Sequence, residues 1–213
     1  MIISKLLFAL YGSKRRAVRD IILKTVKRIE GGEFNSLTLR KIFSHYHQVD
    51  IGLYSHGGCF VPKALDVKTK IGRYCSIAHG VRVFNRNHPV DFKGMHAFFF
   101  NPRLGYCDED RIEYTPLTIG NDVWIGYGAL ITPEVKEIGH GAVIGAGSVL
   151  NKNIPPYGIA VGNPARVVRY RFEKKIIEDL LNSRWWDLEI GEIAKNIAEY
   201  QNNYEKLKEI KQN

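Results

Sequence analysis

Histidine is the side chain whose ordinary pKa lies nearest the range where most biological proton transfers run, and His88 is a candidate for that use. It stands in Asn85-Arg-Asn-His-Pro-Val-Asp91, early in residues 84–117. That stretch also holds His96, Phe98-Phe99-Phe100, Tyr106 and the acidic run Asp108-Glu109-Asp110. Such an imidazole can take a proton from a hydroxyl as the oxygen attacks an electrophile. Its second ring nitrogen needs an acceptor to fix the tautomer, for which Asn85, Asp91 or a backbone carbonyl would serve. Alone, a loop histidine is weak support for catalysis. Metal chemistry is not expected. His79 and His88 are nine residues apart with no closer third partner, His140 falls in a turn, and His45 and His47 belong to the leader. Cys59, Cys75 and Cys107 include no CxxC pair, so they suggest neither a zinc site nor a disulfide framework and read as core or loop thiols.

Lysine and arginine (31) outnumber aspartate and glutamate (22), for a formal charge of +9. A basic balance attracts anions of several kinds: nucleic acid, anionic lipid or a phosphate-bearing co-substrate. No nucleic-acid-binding motif accompanies the charge, and a nucleic-acid partner is not expected. A length of 213 residues suits one substantial domain with an appendage, and 45% apolar with 25% charged residues excludes a disordered or collagen-like chain. No apolar run reaches the length of a membrane span. The opening Ile2-Ile-Ser-Lys-Leu-Leu-Phe-Ala-Leu-Tyr11 resembles a short signal-peptide core. However, its basic cluster (Lys14, Arg15, Arg16) follows the apolar run instead of preceding it. A cytoplasmic protein with reduced thiols is expected.

The elements that must position His88 follow from a sixfold beat. Leu53, Cys59, Leu65, Ile71, Ile77 and Val83 recur every six residues, and so do Ile119, Ile125 and Ile131. The series slips by one residue at Glu137, then resumes at Ile138, Ile144 and Leu150. Four places after each aliphatic comes a second, generally smaller residue: Cys75, Val81, Val123, Ala129, Val135, Ala142, Ser148 and Ile154. A helix would rotate such a pattern round its surface. In extended chain, positions i, i+4 and i+6 share one side. Short strands with glycine-assisted turns, stacked on a continuous apolar column, are therefore expected, the mark of a hexapeptide β-helix. Residues 84–117 lose the beat and read as an excursion loop.

The chain divides into a basic helical leader (1–50), the β-helix domain (51–170) and a helical C-terminal extension (171–213). In the leader, residues 15–30 form a helix with Val18, Ile21, Ile22, Val26 and Ile29 on one face. It suits either a cap over the open end of the stack or a contact with the inner face of a membrane. In the extension, Phe172, Ile176, Ile177, Leu180 and Leu181 make a helical stripe, Trp185-Trp186 follow, and a second helix spans about 190–211.

Ile119-Gly-Asn-Asp-Val-Trp-Ile-Gly126, Ile144-Gly-Ala-Gly-Ser148 and Val161-Gly-Asn-Pro-Ala165 resemble the hexapeptide-repeat acyltransferases. Asn87-His88, Arg171-Phe172 and Trp185-Trp186 are similar to the xenobiotic acetyltransferase branch, which includes chloramphenicol and streptogramin acetyltransferases and acetyltransferases of surface polysaccharides. The likeness covers about residues 67–190. It implies a left-handed parallel β-helix, assembled as a homotrimer with active sites between neighbouring prisms and using acetyl-CoA. His88 matches the catalytic base. The Tyr127 amide beside Gly126 matches the oxyanion donor. Trp124, Gly128, Ala146, Asn151, Lys152, Arg166 and Arg169 fall at cofactor positions, the last three where phosphates would lie. Asn87, Asp91, Phe98, Phe99 and Tyr106 are candidate acceptor contacts.

Two departures bear on the acceptor and the groove. Glu137 adds a residue where a corner near the groove is expected to bulge, and the leader is longer and more basic than in the antibiotic-modifying members. The implied function is O-acetylation of a saccharide. A chloramphenicol- or streptogramin-type activity is the alternative within enzymes, and a silent trimeric scaffold is the alternative outside them.

Overall fold

The computed structural model describes residues 2–201. The sixfold beat becomes short strands: β1 (Val49–Ile51), β2 (His56–Gly57), β3 (Thr69–Ile71), β4 (Ser76–Ile77), β5 (Arg82–Val83), β6 (Leu117–Ile119), β7 (Trp124–Ile125), β8 (Leu130–Ile131), β9 (Glu137–Ile138), β10 (Val143–Ile144), β11 (Val149–Leu150) and β12 (Gly158–Gly162). They sort into three parallel sheets visited in rotation. The first wall is β1, β3, β6 and β9, the second is β2, β4, β7, β10 and β12, and the third is β5, β8 and β11. The register stacks Ile71 on Ile119, Ile77 on Ile125 and Val83 on Ile131. β13 (Ala165–Tyr170) returns antiparallel along β12.

The aliphatics from Ile71 to Leu150 are buried, as is every i+4 partner from Cys75 to Ile154. Each buried isoleucine or leucine contributes about 1.5–3 kcal/mol, so this column is the main source of stability. Burial pushes the Cys75 thiol up to about 12 and raises that of Cys59 as well. Both are inert core thiols.

The first coil departs from the sequence ruler. Ile51 stacks on Ile71 and Gly57 on Ile77, and Leu65 bridges to Val83. The column there runs Ile51, Gly57, Leu65, in place of Leu53, Cys59, Leu65. The cause is a short 3-10 turn, Gly58–Phe60, which lengthens this coil and shifts the count. The extra residue at Glu137 is absorbed without a broken ladder. The Asn153 carboxamide oxygen accepts from the Lys136 and Glu137 N–H groups at 2.8 and 3.1 Å.

The leader folds as α1 (Ile2–Leu10), α2 (Arg16–Ile29) and α3 (Leu37–Ile42). Ile22, Leu23, Val26, Leu39, Ile42 and Phe43 join one apolar cluster with the first coils. Ile21 and Ile29, expected on the buried face, are exposed; Leu23 takes their place. Arg40 is buried and donates to the carbonyls of Glu33, Ser36, Gly52 and Ser55. Arg40 thereby ties the leader to the first coil.

In the extension, α4 (Lys174–Ser183) buries only Ile176 of its expected stripe. The helix expected over 190–211 is interrupted at Asn196, giving α5 (Ile190–Lys195) and α6 (Ile197–Gln201); its remainder lies outside the described residues.

Candidate active site

The three walls meet at three corners with different fates. Between walls one and two, the extension is fastened down. Arg73 pairs with Glu189 at 2.9 Å, and Tyr74 donates to the Leu188 carbonyl at 2.7 Å. Trp186 stacks on His140 (4.6 Å between centroids, 10° between planes). Arg171 bonds Asp122 and the Gly141 carbonyl, both at 2.9 Å. Arg171-Phe172 and Trp185-Trp186 therefore hold the extension onto the coil. Burial raises the Asp122 carboxyl although Arg171 opposes it, and burial lowers the His140 imidazole.

The corner between walls three and one throws out the excursion loop. Its base is Asn85, which is buried. The Asn85 N–H donates to Asp66 at 3.0 Å, its side chain donates to the Val67 carbonyl at 2.7 Å, and its own carbonyl accepts from the Thr115 N–H at 2.7 Å. Both ends of the loop are thus tied at one residue, and Asn85 is not available to His88. One step on, Arg86 forms a two-bond pair with Asp110, each bond 3.0 Å, under a cation–π contact with Tyr114 at 4.8 Å. Arg86, then the Ile112 N–H, hold the Asp110 carboxyl below its ordinary range. Asp110, though exposed, is a loop anchor. Asn87 donates to Glu134 at 3.0 Å, and Glu134 also accepts from the Thr132 hydroxyl, the largest cause of its lowered pKa.

His88 stands in the wall between two clefts that share Arg86, Asn87 and His88. One, of about 670 Å³, is lined by Phe100, Arg103, Asp110 and Tyr114. The other, of about 440 Å³, is lined by Asp91, Phe92, Arg111 and Glu134. His88 Nδ1 lies 2.9 Å from the Met95 carbonyl oxygen. A carbonyl only accepts, so Nδ1 carries the proton and Nε2 keeps its lone pair. Of the three partners considered for this ring, the backbone carbonyl is the one used. The Phe100 ring meets the imidazole edge-on at 5.1 Å.

Asn87 lines both clefts with His88, and Asp91 lines the smaller one. Phe98, Phe99 and Tyr106 line neither; Phe98 packs against Phe99 at 4.1 Å and Tyr106 at 5.5 Å within the loop. The residues that sequence reasoning missed are Met95, Arg86, Tyr114 and Glu134. A backbone acceptor leaves no trace in residue type, but the Arg86 and Asp110 charges flanking the loop were a readable signal.

The corner between walls two and three is bare. It carries Gly126, Tyr127, Gly128 and Ala146, with the Tyr127 side chain exposed. The Gly147 N–H donates to the Tyr127 carbonyl at 2.8 Å, stacking the two turns. Among the described residues, the Tyr127 and Ala146 N–H groups have no acceptor. Trp124 faces outward beside them, as its register requires. Gly126 is needed for the coil itself, since a Cβ there would stand 2.6 Å from the Ala146 nitrogen, while Gly128 adopts φ +68°. Asn151 and Lys152 fall at the loop corner, and Arg166 reaches Asn151 at 3.4 Å from β13; Arg169 is exposed on the same strand. No grouping of three or more histidine, cysteine or carboxylate side chains suited to a metal occurs among the described residues.

No family model matches the chain. Individual relatives do. A chloramphenicol acetyltransferase of Klebsiella aerogenes is 36% identical over 154 residues, covering 66% of this chain and 73% of the relative. A galactoside O-acetyltransferase of Escherichia coli strain K12 is 56% identical over 128 residues, covering 60% of this chain and 56% of the relative. Among solved structures, a maltose O-acetyltransferase of Clostridium difficile 630 is 27% identical with a TM-score of 0.43, covering 80% of this chain and 86% of that one. The chain belongs to the hexapeptide-repeat acetyltransferases, on their xenobiotic acetyltransferase branch, and is an enzyme that transfers acetyl to a hydroxyl.

Proposed function

We propose that this chain acetylates a saccharide hydroxyl, in a surface polysaccharide or a sugar precursor, with acetyl-CoA as donor and His88 as general base. The observation that carries the reading is the His88–Met95 hydrogen bond, which leaves the Nε2 lone pair free on a ring that lines two clefts. Acetyl-CoA supplies the acetyl thioester. Nε2 takes the acceptor's proton as its oxygen bonds the acetyl carbon, and returns that proton to sulfur as the carbon–sulfur bond breaks. The free Tyr127 N–H, supported by Gly126, is the donor assigned to the transient oxyanion, worth about 3–4 kcal/mol in comparable sites. Trp124, Gly128, Ala146 and Asn151 line the path assigned to the pantetheine arm, and Lys152, Arg166 and Arg169 meet its phosphates.

His88 and Tyr127 stand at different corners of one prism. That separation supports an assembly in which each site draws on two neighbours, and the homotrimer of left-handed β-helices that the resemblance implies is such an assembly. A cytoplasmic location suits the supply of acetyl-CoA. Asn87 and Asp91 are assigned to the acceptor, with Glu134 and Arg103 added to them; Phe98, Phe99 and Tyr106 are assigned to the outer loop that approaches it. The second reading, a chloramphenicol- or streptogramin-type acetyltransferase, is favoured by the relative named for chloramphenicol. The clefts favour the saccharide, since they are lined by carboxylates, amides and arginines suited to hydroxyls. Acetyl-CoA consumption across nucleotide sugars, free sugars, chloramphenicol and streptogramins separates the two. Turnover confined to the antibiotics would overturn the saccharide reading.

A further inference from the structure

The leader carries a surface that neither the catalytic clefts nor the stack uses. Ile2, Ile3, Leu6 and Leu10 occupy one arc of α1 and are 50–84% exposed. The helix is held in this orientation. Leu7 and Phe8 pack on the core, the Ser4 hydroxyl donates to Glu30 at 3.0 Å, and Tyr46 donates to the Phe8 carbonyl at 3.0 Å. The apolar arc is therefore turned outward by its own tethers. Contiguous exposed apolar surface of this kind marks a contact with another phase or molecule.

The charge beside it says which. Residues 2–29 contain eight cations (Lys5, Lys14, Arg15, Arg16, Arg19, Lys24, Lys27 and Arg28) against the single acid Asp20. Lys5 flanks the arc on α1, while Lys14, Arg15 and Arg16 follow directly in the turn into α2 and are exposed. An apolar arc bordered by cations is the pattern of a helix lying in the headgroup region of an anionic bilayer. No helix among the described residues is long and apolar enough to cross a membrane, so such a contact would be peripheral.

We propose that α1, with the basic turn after it, docks this enzyme on an anionic lipid surface. The proposal goes beyond the acetyl-transfer reading and uses none of its residues, so either can fail alone. The test is co-sedimentation of the full chain with vesicles of phosphatidylglycerol and phosphatidylcholine, against vesicles of phosphatidylcholine only. Tight binding to the first, at least tenfold weaker binding to the second, and loss in high salt are expected. The Ile3→Ser/Leu6→Ser/Leu10→Ser variant should lose at least tenfold in binding while keeping its melting curve and acetyl-CoA turnover. A second variant, Lys14→Glu/Arg15→Glu/Arg16→Glu, leaves the apolar arc intact and should lose the preference for anionic vesicles. Equal binding by wild type and either variant would overturn the proposal. So would a wild-type chain that stays off both vesicles but falls in mass by sedimentation when the arc is made polar, because the arc would then join copies of this chain.

Discussion

The His88 imidazole and the Met95 carbonyl are 2.9 Å apart, seven residues from each other in one loop. The loop therefore sets the tautomer of its own histidine. Its holding points are Asn85 to Thr115 at the base and Arg86 to Asp110 beyond it.

Replacing Asp110 with Asn removes one half of the second anchor. A partly exposed ion pair contributes about 0.2–1 kcal/mol to stability, so the melting temperature should move by no more than about 4 °C. The freed loop should instead lower kcat/KM for the acceptor by roughly threefold to tenfold. Steady-state kinetics beside a thermal melt checks this, and an unchanged kcat/KM would remove the pair from loop positioning.

Gly126→Ala and Gly128→Ala should both lower stability, for different reasons. At 126 the new methyl meets the backbone of the next coil at 2.6 Å, an overpacking that costs about 1–3 kcal/mol. At 128 nothing is close, but φ +68° costs about 1–2 kcal/mol for an L side chain. Denaturant titration gives both values. The 126 variant should also disturb the Tyr127 turn, lowering kcat.

Glu30 fastens the leader, accepting from the Ser36 hydroxyl, from the Thr38 hydroxyl and N–H, and from Ser4. Burial pushes its carboxyl up, but these donors outweigh burial and hold it below the ordinary range. A lowered carboxyl contributes stability that is complete above its unfolded pKa and is lost as pH falls through its folded one. Glu30→Gln should therefore cost about 1–2 kcal/mol at pH 7. That gap to wild type should close in acid. Unfolding curves at falling pH measure it, and a constant gap would contradict the assignment.

The aliphatic column from Ile71 to Leu150 was legible because period and burial are the same fact in a coil whose walls recur every six residues. The first coil was not. One short turn at Gly58–Phe60 shifts the count, and no composition signal distinguishes Leu53, partly exposed, from the stacked Ile51. The leader's exposed isoleucines were misplaced because helical periodicity gives a face without saying which neighbour covers it. Within the site, His88 was legible through the motif around it. The Met95 carbonyl and the Asn87–Glu134 contact depend on the path of the loop, which residue types do not encode.

The central claim is that His88 Nε2 takes the acceptor's proton. Turnover of acetyl-CoA by His88→Ala, measured with CoA affinity by calorimetry, tests it most directly. A fall in kcat of about 10²–10⁴ with CoA affinity unchanged is expected. Turnover at the wild-type level in the folded variant would contradict it.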